Sequence, residues 1–342
     1  MLMVVGRADL LGCSVANFKI VQLLGAGATS SVYLGRNSTG REVALKVLHP
    51  RVRRSKLARR RLAREASILA GIDCLGVPKV LGLELAEAVP CMVLEHCPGS
   101  PLSALWNADP SSFTVDVVLR VAAQILERLA QVHANGVVHA DVKPGNVIVS
   151  NTGRLTLVDF GCARSLASAE AERWAGTPAY MPPEQAAGRY LELGPTSDIW
   201  SLGAAMFLLL TGRHVHQASS ANAARAKAAV LPAPPISDVL PNIATGVAHV
   251  IDRALEFDNA SRWGSALEML SEVRKIQRNV QRTPTRTDPS RAAVPPGPRP
   301  TPGDGAPESC VGESTRSSRL IHSRGYRGTL ELTCQWGKLA NG

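Results

Sequence analysis

His139-Ala140-Asp141-Val142-Lys143-Pro144-Gly145-Asn146 sets an acid, a lysine and an amide within eight residues, and Asp159-Phe160-Gly161 follows with its acid eighteen residues after Asp141. Between them, residues 147–150 and 155–158 read as the strands of a short hairpin joined through Asn151-Thr152-Gly153. Two acids and an amide therefore meet at one hairpin mouth. Carboxylate and amide oxygens are hard donors of the kind Mg²⁺ takes, usually jointly with the phosphates of a substrate. A purely structural role does not account for that concentration of acid, cation and amide.

Upstream, residues 18–24, 32–35 and 42–48 are rich in Val, Ile and Leu and are separated by Gly-containing turns, which predicts three strands of an antiparallel sheet. Leu24-Gly25-Ala26-Gly27-Ala28-Thr29-Ser30-Ser31-Val32 forms a loop between the first two. Its glycines let backbone N–H groups approach phosphates closely, although a plain hairpin turn has the same look. A dinucleotide-binding loop needs a helix directly afterwards, whereas Val32-Tyr33-Leu34 reads as a strand.

Val43-Ala44-Leu45-Lys46 then puts a lysine on the third strand. Turned outward it is an ordinary surface lysine; turned inward it needs a carboxylate or a ligand phosphate, because an unpaired buried ammonium is costly. Residues 55–70 have helical character, and Leu62, Glu65 and Leu69 fall on one face. A carboxylate thus faces inward among leucines, nineteen residues after Lys46, and is the natural partner. Residues 115–133 repeat apolar side chains at Val118, Val121, Ile125, Leu129 and Val132, the pattern of a helix against a core. A strand-rich first third followed by a mostly helical remainder implies an α+β protein of two lobes.

At 342 residues and 45% apolar content the chain can bury a substantial core, and no internal repeat is evident. Its net charge of +10 is local. From Arg51 to Glu65 there are eight Lys/Arg against one Glu, and residues 281–342 hold nine against five. The segment from Arg51 to Arg64 has no interleaved aromatics, so nucleic acid is not an expected partner. It reads first as a solvated helix end; because cations are mildly unfavourable at the positive end of a helix, an anionic regulator is the second reading.

Cys13, Cys74, Cys91, Cys97, Cys162, Cys310 and Cys334 show no close paired spacing, which fits free thiols in a reducing compartment and a cytoplasmic location. Residues 1–11 lack the basic lead-in of a signal peptide. The longest apolar run, 202–210, falls well short of the roughly 20 residues a membrane helix needs, so no membrane span is expected, and any signal is expected to arrive from soluble partners or through an associated protein. Beyond residue 280, Pro, Arg, Ser, Thr and Gly dominate, a composition that does not offset ordering entropy. The expected division is an N-terminal extension over 1–16, a folded domain over 17–278 and a disordered tail over 279–342, within which Leu330, Leu332 and Trp336 have no readable role.

Taken together, the glycine-rich loop, strand lysine, helix glutamate, acid-lysine-asparagine loop and Asp-Phe-Gly triplet resemble the protein-kinase signature in its proper order. Pro183-Glu184 is similar to the end of the family's activation segment, Asp198-Ile199-Trp200-Ser201-Leu202-Gly203 to its anchoring helix, and Arg262 to the partner of Glu184. Lys143 two residues after Asp141, with Gly176-Thr177 ahead of Pro183, resembles serine/threonine rather than tyrosine kinases. Pro183-Glu184-Gln185 and the compact domain look like the bacterial branch of the eukaryotic-like (Hanks-type) kinases.

The resemblance implies a small β-rich lobe over a larger helical lobe, ATP with Mg²⁺ (Mn²⁺ as a substitute), and protein Ser/Thr hydroxyls as acceptors. It implies that Lys46, held by Glu65, contacts the α- and β-phosphates, that Asn146 and Asp159 bind the metal, that Lys143 steadies the γ-phosphate, and that Asp141 orients the acceptor hydroxyl and takes its proton late. Leu24, Gly25, Ala26 and Gly27 cover the nucleotide, Val32, Ala44 and Ile148 sandwich the adenine, and Glu95 and Cys97 beside Leu94 offer it backbone hydrogen bonds.

Three departures carry expectations of their own. Ser30 replaces the loop's third glycine and alters nucleotide affinity only modestly. Ala140 stands where most kinases have the arginine that receives an activation-loop phosphate, and the segment from Cys162 to Gly176 offers only Ser165 and Ser168 as hydroxyls. Activity independent of loop phosphorylation is therefore expected. Gly145 replaces an acid some relatives use to read substrate arginines, which leaves substrate sequence open. The alternatives are a pseudokinase-type regulatory scaffold and a small-molecule phosphotransferase on the same fold.

Overall fold

A computed structural model of the chain describes residues 10–167 and 176–282. Ser168 and the expected tail from residue 283 onward lie outside the described residues. The upper lobe opens with β1 (Ser14–Val15), β2 (Phe18–Ala26), β3 (Ser30–Arg36) and β4 (Glu42–Leu48). Ala16 and Asn17 join the first two with φ of 49° and 65°, a two-residue turn whose twist suits an antiparallel pair. The sheet therefore begins upstream of residue 17, inside the expected extension. After helix α1 (Lys56–Ala70), β5 (Val80–Glu84) and β6 (Cys91–Glu95) complete an antiparallel sheet ordered β1-β2-β3-β4-β6-β5.

The period of two along β4 decides where its lysine goes. Val43, Leu45 and Val47 pack into a small core on one face with Ile20, Tyr33, Cys91 and Val93. Ala44, Lys46 and Leu48 face the other side, toward the large core shared with α1. Helix α1 starts at Ser55, whose hydroxyl accepts from the Ala58 N–H at 3.3 Å, and buries Ala58, Leu62, Glu65, Ala66 and Leu69 along one stripe. Both charges of the expected pair are thereby turned to the interior.

The lower lobe contains β7 (Ser100–Pro101), α2 (Leu102–Ala108), α3 (Val115–Ala134), β8 (Val137–Val138), β9 (Val147–Val149), β10 (Leu155–Leu157), β11 (Arg164–Ser165), α4 (Pro183–Ala186), α5 (Pro195–Thr211), α6 (Ala221–Val230), α7 (Thr245–Ala254) and α8 (Ala266–Arg282). The expected hairpin is present as β9 and β10, with Leu155 opposite Val149 and Leu157 opposite Val147. The apolar run 202–210 lies in α5, which is buried nearly all round through Ile199, Trp200, Leu202 and Phe207 and so belongs to the core. Among the described residues no helix is long and apolar enough to cross a membrane.

One buried ion pair ties the lower lobe together. Arg262 donates in parallel to Glu184, Nη1 to Oε1 and Nη2 to Oε2, each at 2.9 Å, and reaches the carbonyls of Thr196, Glu256 and Phe257. Ser197 Oγ donates to the same Glu184 oxygen at 2.6 Å. Burial works against the charge on Glu184, but the hydrogen bonds and charge of Arg262, helped by Ser197, hold its carboxyl below the ordinary 4.5. The stability from this pair is therefore present above that value and is lost as pH falls through the lowered one.

Arg262→Met strands the Glu184 carboxylate in the interior and should lower the unfolding free energy by about 3–5 kcal/mol in urea titrations near neutral pH. The deficit should shrink as the medium is acidified below 4.5. A deficit under about 1 kcal/mol at neutral pH would show that the pair is not holding the lobe.

Candidate active site

Lys46 is 9% exposed, and its Nζ donates to Glu65 Oε1 at 2.6 Å, Glu65 Oε2 at 2.7 Å and Asp159 Oδ1 at 2.6 Å. Strand β4, helix α1 and the turn after β10 thus converge on one ammonium. Burial opposes the charge on Lys46, but the Glu65 and Asp159 carboxylates outweigh it and raise its pKa above the ordinary lysine value. Burial pushes the Glu65 carboxyl up, Lys46 pulls against that, and Asp159 adds to the rise. Asp159 moves oppositely: the Lys46 ammonium holds it down to about 2, against burial, with smaller help from His139 and Lys143. One cation between two carboxylates leaves the cluster net negative, a setting that attracts a further cation.

Asp159 has a left-handed backbone, φ 61° and ψ 75°, which sends its carboxylate toward Lys46 while Phe160 turns inward at 1% exposure. The Phe160 and His139 rings meet edge to face, with their centroids 4.6 Å apart. The imidazole of His139 bridges the site's backbone, with Nε2 3.1 Å from Val158 O and Nδ1 3.2 Å from Asp141 N. A ring donating at Nε2 and accepting at Nδ1 satisfies both.

The second cluster lies on the loop between β8 and β9. Asp141 Oδ1 accepts from the Thr177 backbone N–H at 2.8 Å, and its Oδ2 accepts from Lys143 Nζ at 2.6 Å and Asn146 Nδ2 at 3.0 Å. Lys143 Nζ also donates to Thr177 Oγ1 at 2.5 Å. Asn146 Nδ2 donates in addition to Asp141 O at 2.9 Å, so these bonds engage the amide nitrogen and not Oδ1. The Val158 N–H donates to Asn146 O at 2.9 Å, so the hairpin sets Asn146 and Asp159 at its two ends. A deprotonated carboxylate and an amide oxygen suit a hard divalent cation that completes its shell with phosphates and water.

A fourth acid supports that loop from below. Asp198 in α5 is fully buried and accepts from His139 N at 2.9 Å, Ala140 N at 2.8 Å and His133 Nε2 at 2.9 Å. Ala140, at φ 59°, is held in the left-handed region between that carboxylate and Gln185, whose Nε2 donates to Ala140 O at 2.9 Å. Gly176 passes so close that a Cβ there would stand 2.8 Å from Gln185 Nε2 and 3.1 Å from Ala140 O.

Sequence reasoning pointed to Lys46, Glu65 and Asp159, which the structure brings together, and to Asp141, Lys143 and Asn146, which form the neighbouring cluster. No hydrogen bond joins the two clusters among the described residues. Leu24, Gly25, Ala26 and Gly27 lie exposed at the end of β2. Val32 is half-buried opposite Lys46, Ala44 is buried opposite Leu94, and Ile148 is half-buried in β9. The Glu95 N–H is taken by Lys79 O at 2.9 Å, and its carbonyl accepts from the Cys97 thiol at 3.9 Å. Burial, with Glu95 next, pushes the Cys97 thiol up to about 11. The sequence did not disclose the support of Ala140 by Asp198 and Gln185 or the double role of Thr177. The Gly176-Thr177 pair was the only signal for the latter.

A glycine-rich hairpin, an inward lysine held by a helix glutamate, and an acid fixed beside an asparagine and a lysine define a phosphotransferase-type site between two lobes. Residues 18–273 match the family described as the protein kinase domain, and the chain belongs to that family, in the Hanks-type branch of bacterial serine/threonine kinases. It is 31% identical over 296 residues to the serine/threonine-protein kinase Pkn1 of Myxococcus xanthus, a match that spans 83% of this chain and 42% of that protein. It is 32% identical over 281 residues to the serine/threonine-protein kinase PksC of Streptomyces coelicolor, spanning 78% of this chain and 50% of that one. It is 32% identical over 267 residues to the serine/threonine-protein kinase PknJ of Mycobacterium bovis, spanning 75% and 45%. The chain thus spans half or less of these relatives' length.

Asp198→Ala leaves two buried backbone N–H groups without an acceptor and should cost about 3 kcal/mol or more in urea unfolding. Asp198→Asn keeps an acceptor oxygen and should lose clearly less. Equal losses in the two variants would show that the carboxylate is not what supports Ala140.

Proposed function

We propose that this chain is an ATP- and Mg²⁺-dependent serine/threonine protein kinase that transfers the γ-phosphate of ATP to protein hydroxyls. The observation that carries the reading is the single ammonium of Lys46 bonded to both Glu65 and Asp159. It joins helix α1 to the acid of the Asp-Phe-Gly turn in an arrangement ready for a triphosphate. Lys46 contacts the α- and β-phosphates. The Asn146 amide oxygen and the Asp159 carboxylate, held deprotonated by its lowered pKa, hold the metal. When bound, Mg²⁺ neutralises charge on the β- and γ-phosphates.

Asp141 has its carboxylate fixed by three donors, so it can orient an acceptor hydroxyl and receive its proton as the bond to phosphorus forms. Lys143 lies between that carboxylate and Thr177, where its charge meets the migrating phosphoryl group. Leu24, Gly25, Ala26 and Gly27 cover the nucleotide. Val32, Ala44 and Ile148 enclose the adenine beside Glu95 and Cys97. The folded catalytic unit is the region around residues 17–278, extended by β1 and the end of α8, and it works in the cytoplasm. An anionic regulator on the segment from Arg51 to Arg64 would meet Arg53, Arg54, Lys56 and Arg60, since Arg59 turns to the carbonyls of Arg53 and Leu85.

Activity without loop phosphorylation belongs to the same reading. Ala140 presents no guanidinium, and Arg164 is buried with a donor on Tyr190 O. The Lys46 and Asp141 clusters form from unmodified side chains.

Purified protein incubated with labelled ATP, Mg²⁺ and a generic protein substrate should yield phosphoserine or phosphothreonine, and Asp141→Asn should reduce this by about a thousandfold or more. Nucleotide binding without transfer by the unmutated chain would favour the scaffold, and transfer to small molecules alone would favour the other phosphotransferase. Converting Ser165 and Ser168 together to alanine should leave turnover nearly unchanged. A tenfold or larger loss would reject independence from loop phosphorylation.

A further inference from the structure

The tip of the glycine-rich loop is fastened to the turn that leads from β4 into α1. The Gly27 N–H donates to Ser30 O at 2.8 Å and closes the tip on itself. Three ties then cross to residues 49–51. The His49 N–H donates to Thr29 O at 2.9 Å, His49 Nε2 lies 2.9 Å from Ser31 Oγ, and the Arg51 guanidinium donates to Ala28 O. The turn is itself closed, since His49 O accepts from Val52 N at 2.9 Å and Arg53 N at 3.0 Å. Ser55 N donates to Val52 O at 2.8 Å, and the Ser55 hydroxyl caps α1.

A continuous path of hydrogen bonds therefore runs from the loop tip through His49 and Val52 to the start of the helix that carries Glu65, and Arg51 adds a second tie from the same turn to the tip. Hairpin tips of small residues with exposed glycines are ordinarily loose. Here Ala28, Thr29 and Ser31 are all held, by a charged donor, a backbone donor and a side-chain contact.

We infer that Arg51 and His49 are positioning residues for the nucleotide: they hold the Ala28–Ser31 tip in place over the phosphates and couple it to the helix of Glu65. This rests on the kinase reading given above. Arg51 acts through the Ala28 carbonyl and touches no reacting atom. Its placement gives one member of the basic segment a use that its charge alone did not suggest, while Arg54, three residues on, is exposed and makes none of these contacts.

The test measures three things on the full chain. In the nucleotide-free protein, Arg51→Ala should speed amide exchange at residues 27–31 while leaving the thermal midpoint within a degree or two. Equilibrium binding of a fluorescent ATP analogue with Mg²⁺ should weaken by about tenfold, the size expected for losing one charged hydrogen bond that orders a loop. In the protein-substrate assay KM for ATP should carry most of the fall in kcat/KM, and Arg51→Lys should recover part of it. Ser31→Ala should act in the same direction through His49, and Arg54→Ala should change none of these readings. Unchanged exchange and unchanged nucleotide affinity in Arg51→Ala, with the wild type binding and transferring normally, would overturn the inference and leave the kinase reading intact. A wild type that binds no nucleotide at all would overturn both.

Discussion

The ammonium of Lys46 is the point on which the two lobes agree. It is buried, so it is stable as a cation only while carboxylates surround it, and its two partners come from separate elements, Glu65 on α1 and Asp159 after β10. Withdrawing α1 removes one carboxylate, and turning the Asp-Phe-Gly segment outward removes the other. Either movement leaves the buried ammonium with one carboxylate in place of two and costs it part of the compensation that keeps it charged. The interaction is thus a sensor of lobe geometry as much as a contact, and it explains why sheet, helix and hairpin must be correct together.

Beneath it the lower lobe is a stack of fixed polar groups. Asp198 anchors the backbone at His139 and Ala140, Asp141 is held in turn by Lys143, Asn146 and Thr177, and Glu184 with Arg262 locks the helix following the Gly176-Thr177 stretch. Each of these three acids is matched by donors from at least two segments of the chain, as buried charge requires. The strained backbones at Ala140 and Asp159 lie between these anchors. Strain of that kind persists only where surrounding contacts over-determine it.

Much of this was readable in the sequence because it depends on period and spacing. The alternation through Val43, Ala44, Leu45 and Lys46 and the stripe of Leu62, Glu65 and Leu69 were enough to pair a lysine with a glutamate. The 147–158 hairpin followed from its turn residues. What escaped has a common cause. Strands Cys91–Glu95 and Val80–Glu84 lack alternation, the first being apolar on both faces and the second interrupted by Gly82 at a register shift. Strand Ser14–Val15 is too short to carry a pattern and exists because the turn at Ala16 and Asn17 folds it back. The bonds from Thr177 to Asp141 and from Ala140 to Asp198 join residues 36 and 58 apart through loop backbone, where no periodicity points. The basic run after Leu48 was read by its charge, and charge gave no hint that Arg51 reaches a carbonyl.

Thr177 belongs to two parts of the site at once: its hydroxyl receives Lys143 while its N–H donates to Asp141. On the kinase reading, the activation segment that holds Thr177 is the platform for the incoming protein, and it forms one mechanical unit with the group that accepts the proton. When that platform retreats, the acid loses a restraint and the lysine an anchor in the same movement. On that reading a water entering the open cleft would meet a base out of line, so the contact that prepares transfer to a protein would also guard the triphosphate against idle hydrolysis.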